Sequence, residues 1–281
     1  MHAKPDRAYL GACTIYRNNA GYLAEWIEVH RLFGFERFFL YDNGSTDDHL
    51  DVLAPYIEDG SVRLHDWPMP FLGRQGRAGA IVQAFEDCLG EHRDDARWIA
   101  FLDLDEFMFS PTGRPLTDLL PEYEQFPGVG VGRAEFGPSG HVTKPEGLVI
   151  ENFVNRQGVR PDARGPIKTV LDPTRAVRCL GAHHFVYSEG VPVDEHKRPI
   201  VDAGRTGVIP ISFDRLQVNH YWAKSREELQ RKHEQWRETG STRALADFVR
   251  DAAYPVVDDA LAAHAPAVHQ ALAQRAAQAR P

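Results

Sequence analysis

Between residues 8 and 109 the hydrophobic period switches repeatedly between that of a strand and that of a helix, and few architectures accept such an alternation. Ala8 to Ile15 reads as a strand. "GYLAEWIEVHRLFG" then puts Leu23, Trp26, Ile27, His30 and Phe33 on one helical stripe, read as core, with Gly34 as its stop. Phe35 to Tyr41 is a short, aromatic, buried strand. "DNGSTDD" is a turn cluster that offers a helix N-cap at Ser45, Thr46 or Asp47, and it lacks the spacing and distal Glu of an EF-hand loop. The next helix carries Leu50, Leu53, Ala54 and Ile57, and Gly60 ends it. "SVRLHDW" alternates as a strand does. "GRAGAIVQAFEDCLG" sets Ala78, Ile81, Val82, Phe85, Cys88 and Leu89 on one face, and "RWIAFLDLDEF" is a fourth strand.

Strands joined by crossover helices form a mostly parallel α/β sheet with helices on both faces. Ligands of such sheets bind beyond the carboxyl ends of the strands. Arg17 and Asn18 follow the first strand, Asp42 and Asn43 the second, Asp66 and Trp67 the third, and Asp103 and Asp105 the fourth. Polar residues are therefore expected to converge on one edge.

From about Val129 the pattern breaks into short strand candidates among Gly and Pro. "QVNHYWAKSREELQRKHEQW" reads as a strand running into a helix, and the Ala-rich tail reads as helical. The expected organisation is one domain over residues 1–240, with a first half at 8–110 and a second at 111–240. A helical appendage occupies 241–281. Gly128, Gly130 and Gly132 give G-x-G-x-G, which is not the dinucleotide fingerprint.

Composition removes several function classes. The net charge of −8 comes without a long basic stripe, which argues against nucleic acid. Three cysteines, Cys13, Cys88 and Cys179, are far apart with no C-x-x-C, which reads as reduced thiols in a cytoplasmic setting and not as a disulfide frame or zinc site. No apolar run approaches the roughly 18–20 residues of a membrane span, which leaves only peripheral membrane contact.

"WIAFLDLDEFMF" carries the sharpest chemical signal. Residues i and i+2 of a strand share a face, so Asp103 and Asp105 are expected to repel each other unless a cation lies between them. Oxygen-only ligands suit Mg²⁺ or Mn²⁺, which keep positions open for substrate phosphates.

In order, "RNNAGYLAEWIEVHRLFGFERFFLYDNGSTDD", "QGRAGAIVQAFEDC" and "WIAFLDLDEFMF" resemble glycosyltransferase family 92 and its bacterial family-2-like relatives, with a weaker likeness through "FGPSGH", "GPIKTV", "GAHHF" and "NHYWAKSREEL". The resemblance implies a GT-A fold and a hexosyltransferase using a nucleotide-sugar donor, UDP-linked by preference. It also implies Mn²⁺ or Mg²⁺, a glycan, lipid or protein acceptor, and inversion. It implies Asp105 as a metal ligand and Asp103 as a ligand of metal or ribose. Asp42 faces base or ribose, Gln75 and Arg77 lie near the nucleotide with Arg17 and Asn18, and Lys168 contacts the diphosphate. A C-terminal histidine completes the metal site, with His220 favoured over His184. One departure stands out: the family reads Lys-Asn-Glu after the first strand, and this chain reads Arg17-Asn18-Asn19.

An inverting transferase needs a carboxylate to take the acceptor proton. Glu135 in "RAEFG" and Asp194 in "PVDEH" are the two candidates, with Glu106 as a third. Lys224, Arg226, Arg231 and Lys232 read as a solvated helix face.

Overall fold

The expected alternation is realised in the first half of a computed structural model that describes residues 7–69, 76–159, 163–201, 208–238 and 253–278. It runs β1 (Ala8–Tyr16), α1 (Ala20–Leu32), β2 (Arg37–Asp42), α2 (His49–Glu58), β3 (Val62–Asp66), α3 (Gly76–Glu91) and β4 (Ala96–Phe101). The order β3-β2-β1-β4 is parallel throughout. The near-continuous apolar run of β1 marks the central strand, covered on both faces.

The second half extends this sheet. β5 (Glu106–Phe109), β6 (Gly128–Glu135), β8 (Arg164–Leu171) and β13 (Gln217–His220) continue it as β4-β8-β6-β13-β5. Strand β8 runs antiparallel between β4 and β6, and β5 antiparallel to β13, whereas β13 is parallel to β6. With β11 (Val193–Asp194) and β12 (Val208–Pro210) on the flanks the sheet has ten strands. Two further pairs, β9 (Ala176–Gly181) with β10 (His184–Tyr187) and β7 (Asn155–Arg156) with β14 (Val256–Val257), lie outside it. The expected fold class, a mostly parallel sheet flanked by helices, is the one observed.

Helix α1 buries the stripe read from its period: Leu23, Trp26, Ile27, His30 and Phe33 are all at most 1% exposed. The Trp26 indole donates to the Glu106 carbonyl at 2.8 Å, which pins the helix to the start of β5. Helix α2 is rotated from expectation. Leu50 and Ile57 are exposed, and the buried line is His49, Leu53 and Tyr56, at i, i+4 and i+7. His49 is drawn inward by Asp42 (3.6 Å) and Asp47 (3.2 Å), a polar attraction that an aliphatic count does not register. Gly34 and Gly60 close their helices at positive φ, as expected. In α3, Ile81, Phe85, Cys88 and Leu89 face the sheet. The side chain of Ala78 lies outside the described residues. Cys13, Cys88 and Cys179 are free and share one buried layer under α3, despite their distance in sequence.

The G-x-G-x-G run has a packing cause. Gly128, Gly130 and Gly132 share one face of β6, and a Cβ there falls 2.5 Å from Tyr187 Oη, 2.6 Å from Ile200 Cδ1 and 3.0 Å from the Ser212 carbonyl. Three further helices, α4 (Leu116–Leu119), α5 (Val149–Asn152) and α6 (Arg226–Glu238), precede the C-terminal α7 (Ala265–Gln278). Leu261, Ala265 and Val268 join the main core, and Arg275 of α7 reaches Glu28 (3.3 Å) and Asp59 (2.7 Å). Among the described residues no helix is long and apolar enough to cross a membrane.

His30 couples this core to pH. Its Nδ1–H donates to the Trp26 carbonyl at 2.7 Å and its Nε2 accepts the Met108 N–H at 3.1 Å, so both partners demand the neutral ring. Burial pushes its pKa down to about 4. The unfolded chain then binds the extra proton between about pH 6.5 and 4, and folding stability is lost as pH falls through that window. Urea midpoints at pH 7 and pH 5 are expected to differ by about 2 kcal/mol from this residue. In His30→Gln that part of the slope disappears, and an unchanged slope refutes the assignment.

Candidate active site

The acidic segment is a turn and not a strand end. Strand β4 stops at Phe101, and the Glu106 N–H closes on the Asp103 carbonyl at 3.0 Å. The Glu106 carboxylate folds back to accept the Asp103 N–H at 2.8 Å. The same-face expectation for Asp103 and Asp105 therefore fails, because it holds only for extended backbone. The turn directs the two carboxylates to different partners. Asp103 Oδ2 lies 3.0 Å from Lys168 Nζ. Asp105 lies 2.8 Å from Lys232 Nζ through Oδ2 and 3.5 Å from His220 Nε2 through Oδ1.

The sheet register assembles the rest. Glu106, His220 and Glu135 stand in one row across β5, β13 and β6. Arg133, two residues before Glu135 on β6, donates to Glu106 (3.1 Å) and to Glu135 (2.7 Å). His220 Nδ1–H donates to Glu135 at 2.6 Å. From β8, Lys168 also reaches Glu106 at 2.9 Å. Four carboxylates thus alternate with four basic groups, and these charges offset one another across the acidic run.

The titrations follow from the pairing. Burial alone raises a carboxylate pKa, yet Lys232 and His220 hold Asp105 well below the usual range, and His220 and Arg133 lower that of Glu135. Burial likewise opposes the charge on His220, but Asp105 and Glu135 lift it to about 9. Asp103 and Glu106 raise Lys168 against its burial. His183 beside it is pushed down to about 4 by burial and by the Lys168 and Arg133 charges.

The neighbouring strand ends carry the other expected contacts. Asp42 closes β2, accepts the Ser45 N–H at 2.9 Å and stays 9% exposed. Asn18, at φ 52°, accepts the Thr46 N–H at 2.7 Å and donates its own N–H to Ser45 Oγ. It therefore ties the loop after β1 to the loop after β2, while Arg17 is exposed. Asp47 caps the start of α1 through the Ala20 N–H at 2.8 Å. Gln75 and the side chain of Arg77 lie outside the described residues.

Asp194 and His184 stand apart from the acidic turn, and Lys168 is enclosed within it. Asp194 pairs with Gly130, at the other end of β6 from Glu135, roughly 16 Å along the strand. Its oxygens hold the His196 and Arg198 N–H groups and the Arg198 guanidinium, so it braces a turn. His184 sits on β10, outside the main sheet, with Nε2 buried and without a hydrogen-bond partner among the described residues. His220 is the histidine brought to Asp105. Lys168 is 0% exposed and lies between two carboxylates, Asp103 of the acidic turn and Glu106.

The donor chemistry still accommodates a divalent cation. Asp105 Oδ1 and His220 Nε2, 3.5 Å apart, would supply a carboxylate and an imidazole donor to such an ion. Among the described residues three donors converge only at Glu195, His196 and Asp214. There Glu195 already accepts the N–H groups of Asp214, Arg215 and Leu216.

Lys232, expected on a solvated helix face, pairs instead with Asp105, and Arg133 was not singled out in the sequence. A signal existed for each. Ser225 and Glu228 form a reciprocal capping box that fixes where α6 begins, and Lys232 lies two turns into that helix. Arg133 shares the strand face of Glu135.

The Glycosyltransferase family 92 model matches residues 9–243. A glycosyltransferase family 92 protein of Oryza sativa subsp. japonica is 32% identical over 191 residues, covering 64% of this chain and 30% of that one. A family 92 protein of Arabidopsis thaliana is 32% identical over 198 residues, covering 65% and 32%. A galactan beta-1,4-galactosyltransferase of Arabidopsis thaliana is 33% identical over 133 residues, covering 44% and 25%. The chain spans about a third of the length of the curated relatives it matches. Among solved structures, glucosyl-3-phosphoglycerate synthase from Mycobacterium tuberculosis is similar at 14% identity and a TM-score of 0.33, over 60% of this chain and 58% of that one.

Proposed function

The chain belongs to glycosyltransferase family 92, and from that premise we propose that it moves a sugar from a nucleoside diphosphate sugar, UDP-linked by preference, to a hydroxyl of a glycan, lipid or protein, with inversion. The observation that carries this reading is the acidic turn at the carboxyl edge of the parallel strands, where Asp105 faces His220. Asp105 and His220 are the proposed holders of Mn²⁺ or Mg²⁺. When bound, the ion neutralises charge on the departing diphosphate.

The chain's own groups do the rest. Glu135 fixes the His220 ring through Nδ1, which aims Nε2 at Asp105. With one oxygen on His220 and the other on Arg133, Glu135 acts here as a positioning group and a poor proton acceptor. Asp42, still partly open at the end of β2, is the proposed ribose or base contact, with Arg17 beside it. Galactose is the first donor sugar to test, because named relatives are galactosyltransferases.

The test is UDP release from a panel of UDP- and GDP-sugars, with and without glycan acceptors, in Mn²⁺ and then in EDTA. Acceptor-dependent release, reduced at least about 100-fold by EDTA, is the expected result. Release that ignores the acceptor identifies a hydrolase. Metal-dependent nucleotide binding, seen as a raised melting point, without turnover across the panel identifies a binding module. Either outcome overturns the proposal.

A further inference from the structure

We infer that Lys232 is a displaceable counter-ion, paired with Asp105 at 2.8 Å and transferred to the diphosphate when donor and cation enter. The inference rests on the transferase reading above and assigns a residue to it.

The two ammonium groups of the network are held very differently. Lys168 is 0% exposed and clasped by Asp103 and Glu106 at 3.0 and 2.9 Å. Lys232 is 23% exposed and holds one carboxylate, at 2.8 Å, with the Trp222 carbonyl at 3.3 Å and the Trp222 ring at 5.0 Å. Lys168 leaving strands two acids, Asp103 and the fully buried Glu106. Lys232 leaving strands one acid, Asp105, which keeps His220 beside it, with Lys224 also acting on it.

The helix beneath Lys232 does not need to move. Its first turn is fixed by the Ser225–Glu228 capping box, by the Arg226 N–H on the His141 carbonyl (3.1 Å), and by the Glu227 N–H on the Val142 carbonyl (2.9 Å). Leu229 is fully buried. A four-carbon stem on a fixed backbone lets the ammonium swing alone, because lysine is a flexible point charge.

Electrostatics gives the swing its direction. A divalent cation on Asp105 and an ammonium on the same carboxylate repel each other strongly inside a protein. Both are tolerated only when a further anion arrives, and the donor's diphosphate is that anion. Cation and donor therefore bind with positive coupling, each relieving a cost the other meets alone. Lys232 opposes the cation alone and favours the donor once the cation is bound.

The test is calorimetric titration of the full chain with Mn²⁺ alone and with UDP in saturating Mn²⁺, for wild type and Lys232→Met. The variant is expected to bind Mn²⁺ alone about 10-fold more tightly and UDP about 10-fold more weakly. Lys232→Arg, which keeps the charge, is expected to restore most of the UDP affinity. A purely structural lysine weakens both affinities or neither, and either pattern overturns the inference while leaving the transferase reading intact. Wild type that binds no nucleoside diphosphate with Mn²⁺ or Mg²⁺ present overturns the transferase reading, and the inference with it. If Lys232→Met lowers the melting point, Lys232→Gln replaces it under the same criteria.

Discussion

Replacing Asp105 by asparagine is expected to lower transfer about 10³-fold while the protein stays folded. The amide keeps the volume and can still accept a hydrogen bond, so the turn that Glu106 closes onto Asp103 is unaffected. What disappears is the one negative charge shared by His220 and Lys232. His220 keeps Glu135 as a partner at 2.6 Å, and Lys232 is exposed enough for water to receive it. The stability change is therefore small, about 1 kcal/mol, in line with a partly exposed ion pair. Activity responds differently, because an amide is a far weaker ligand for a hard cation. Steady-state UDP release and a urea melt on the same preparation separate the two effects. Turnover within about 10-fold of wild type removes Asp105 from the chemistry. A collapse of the urea midpoint shows that the carboxylate holds the fold together.

The sequence states the parallel half of the molecule clearly and the cluster only in part, and the reason is range. The stripe Leu23, Trp26, Ile27, His30 and Phe33 is local, and every member is buried as its period requires. Helix α2 shows the first failure. His49 turns inward toward Asp42 and Asp47, and the aliphatic Leu50 and Ile57 are left outside. The acidic motif shows the second. Its position was legible, but its conformation depends on Glu106 folding back and on Lys168 arriving from β8, 65 residues away.

Cations were harder to read than acids for the same reason. Lys232 meets Asp105 across 127 residues and Arg133 meets Glu106 across 27. A lone lysine or arginine carries no local mark of its partner. The preference for His220 over His184 rested on no geometry. They separate only once β13 pairs with β5 and β6, which places His220 opposite Glu106 and Glu135. Glu135 and Asp194 looked equivalent until β11 docked at the opposite end of β6.

Lys168→Met provides the sharpest stability test, with an expected loss of about 3–5 kcal/mol. Methionine fills most of the volume, so the cost is electrostatic. Asp103 loses the lysine contact at 3.0 Å, and Glu106, 0% exposed, loses one of its two cationic partners. Arg133 and the Asp103 N–H remain on Glu106, which keeps the loss within that range. A domain of this size then melts about 10 °C lower. Adding Glu106→Gln to Lys168→Met removes one of the stranded charges and is expected to recover about 1.5 kcal/mol, a coupling that two independent sites do not show. Urea midpoints at constant slope measure both steps. The rival role for Lys168, direct contact with the diphosphate, makes the opposite forecast. In that case Lys168→Met keeps the wild-type midpoint and loses nucleotide affinity. The 0% exposure of the side chain and its two short contacts to carboxylates favour the core role, since an ammonium with no exposed surface has to abandon the buried Glu106 as well as Asp103 before it can meet a ligand.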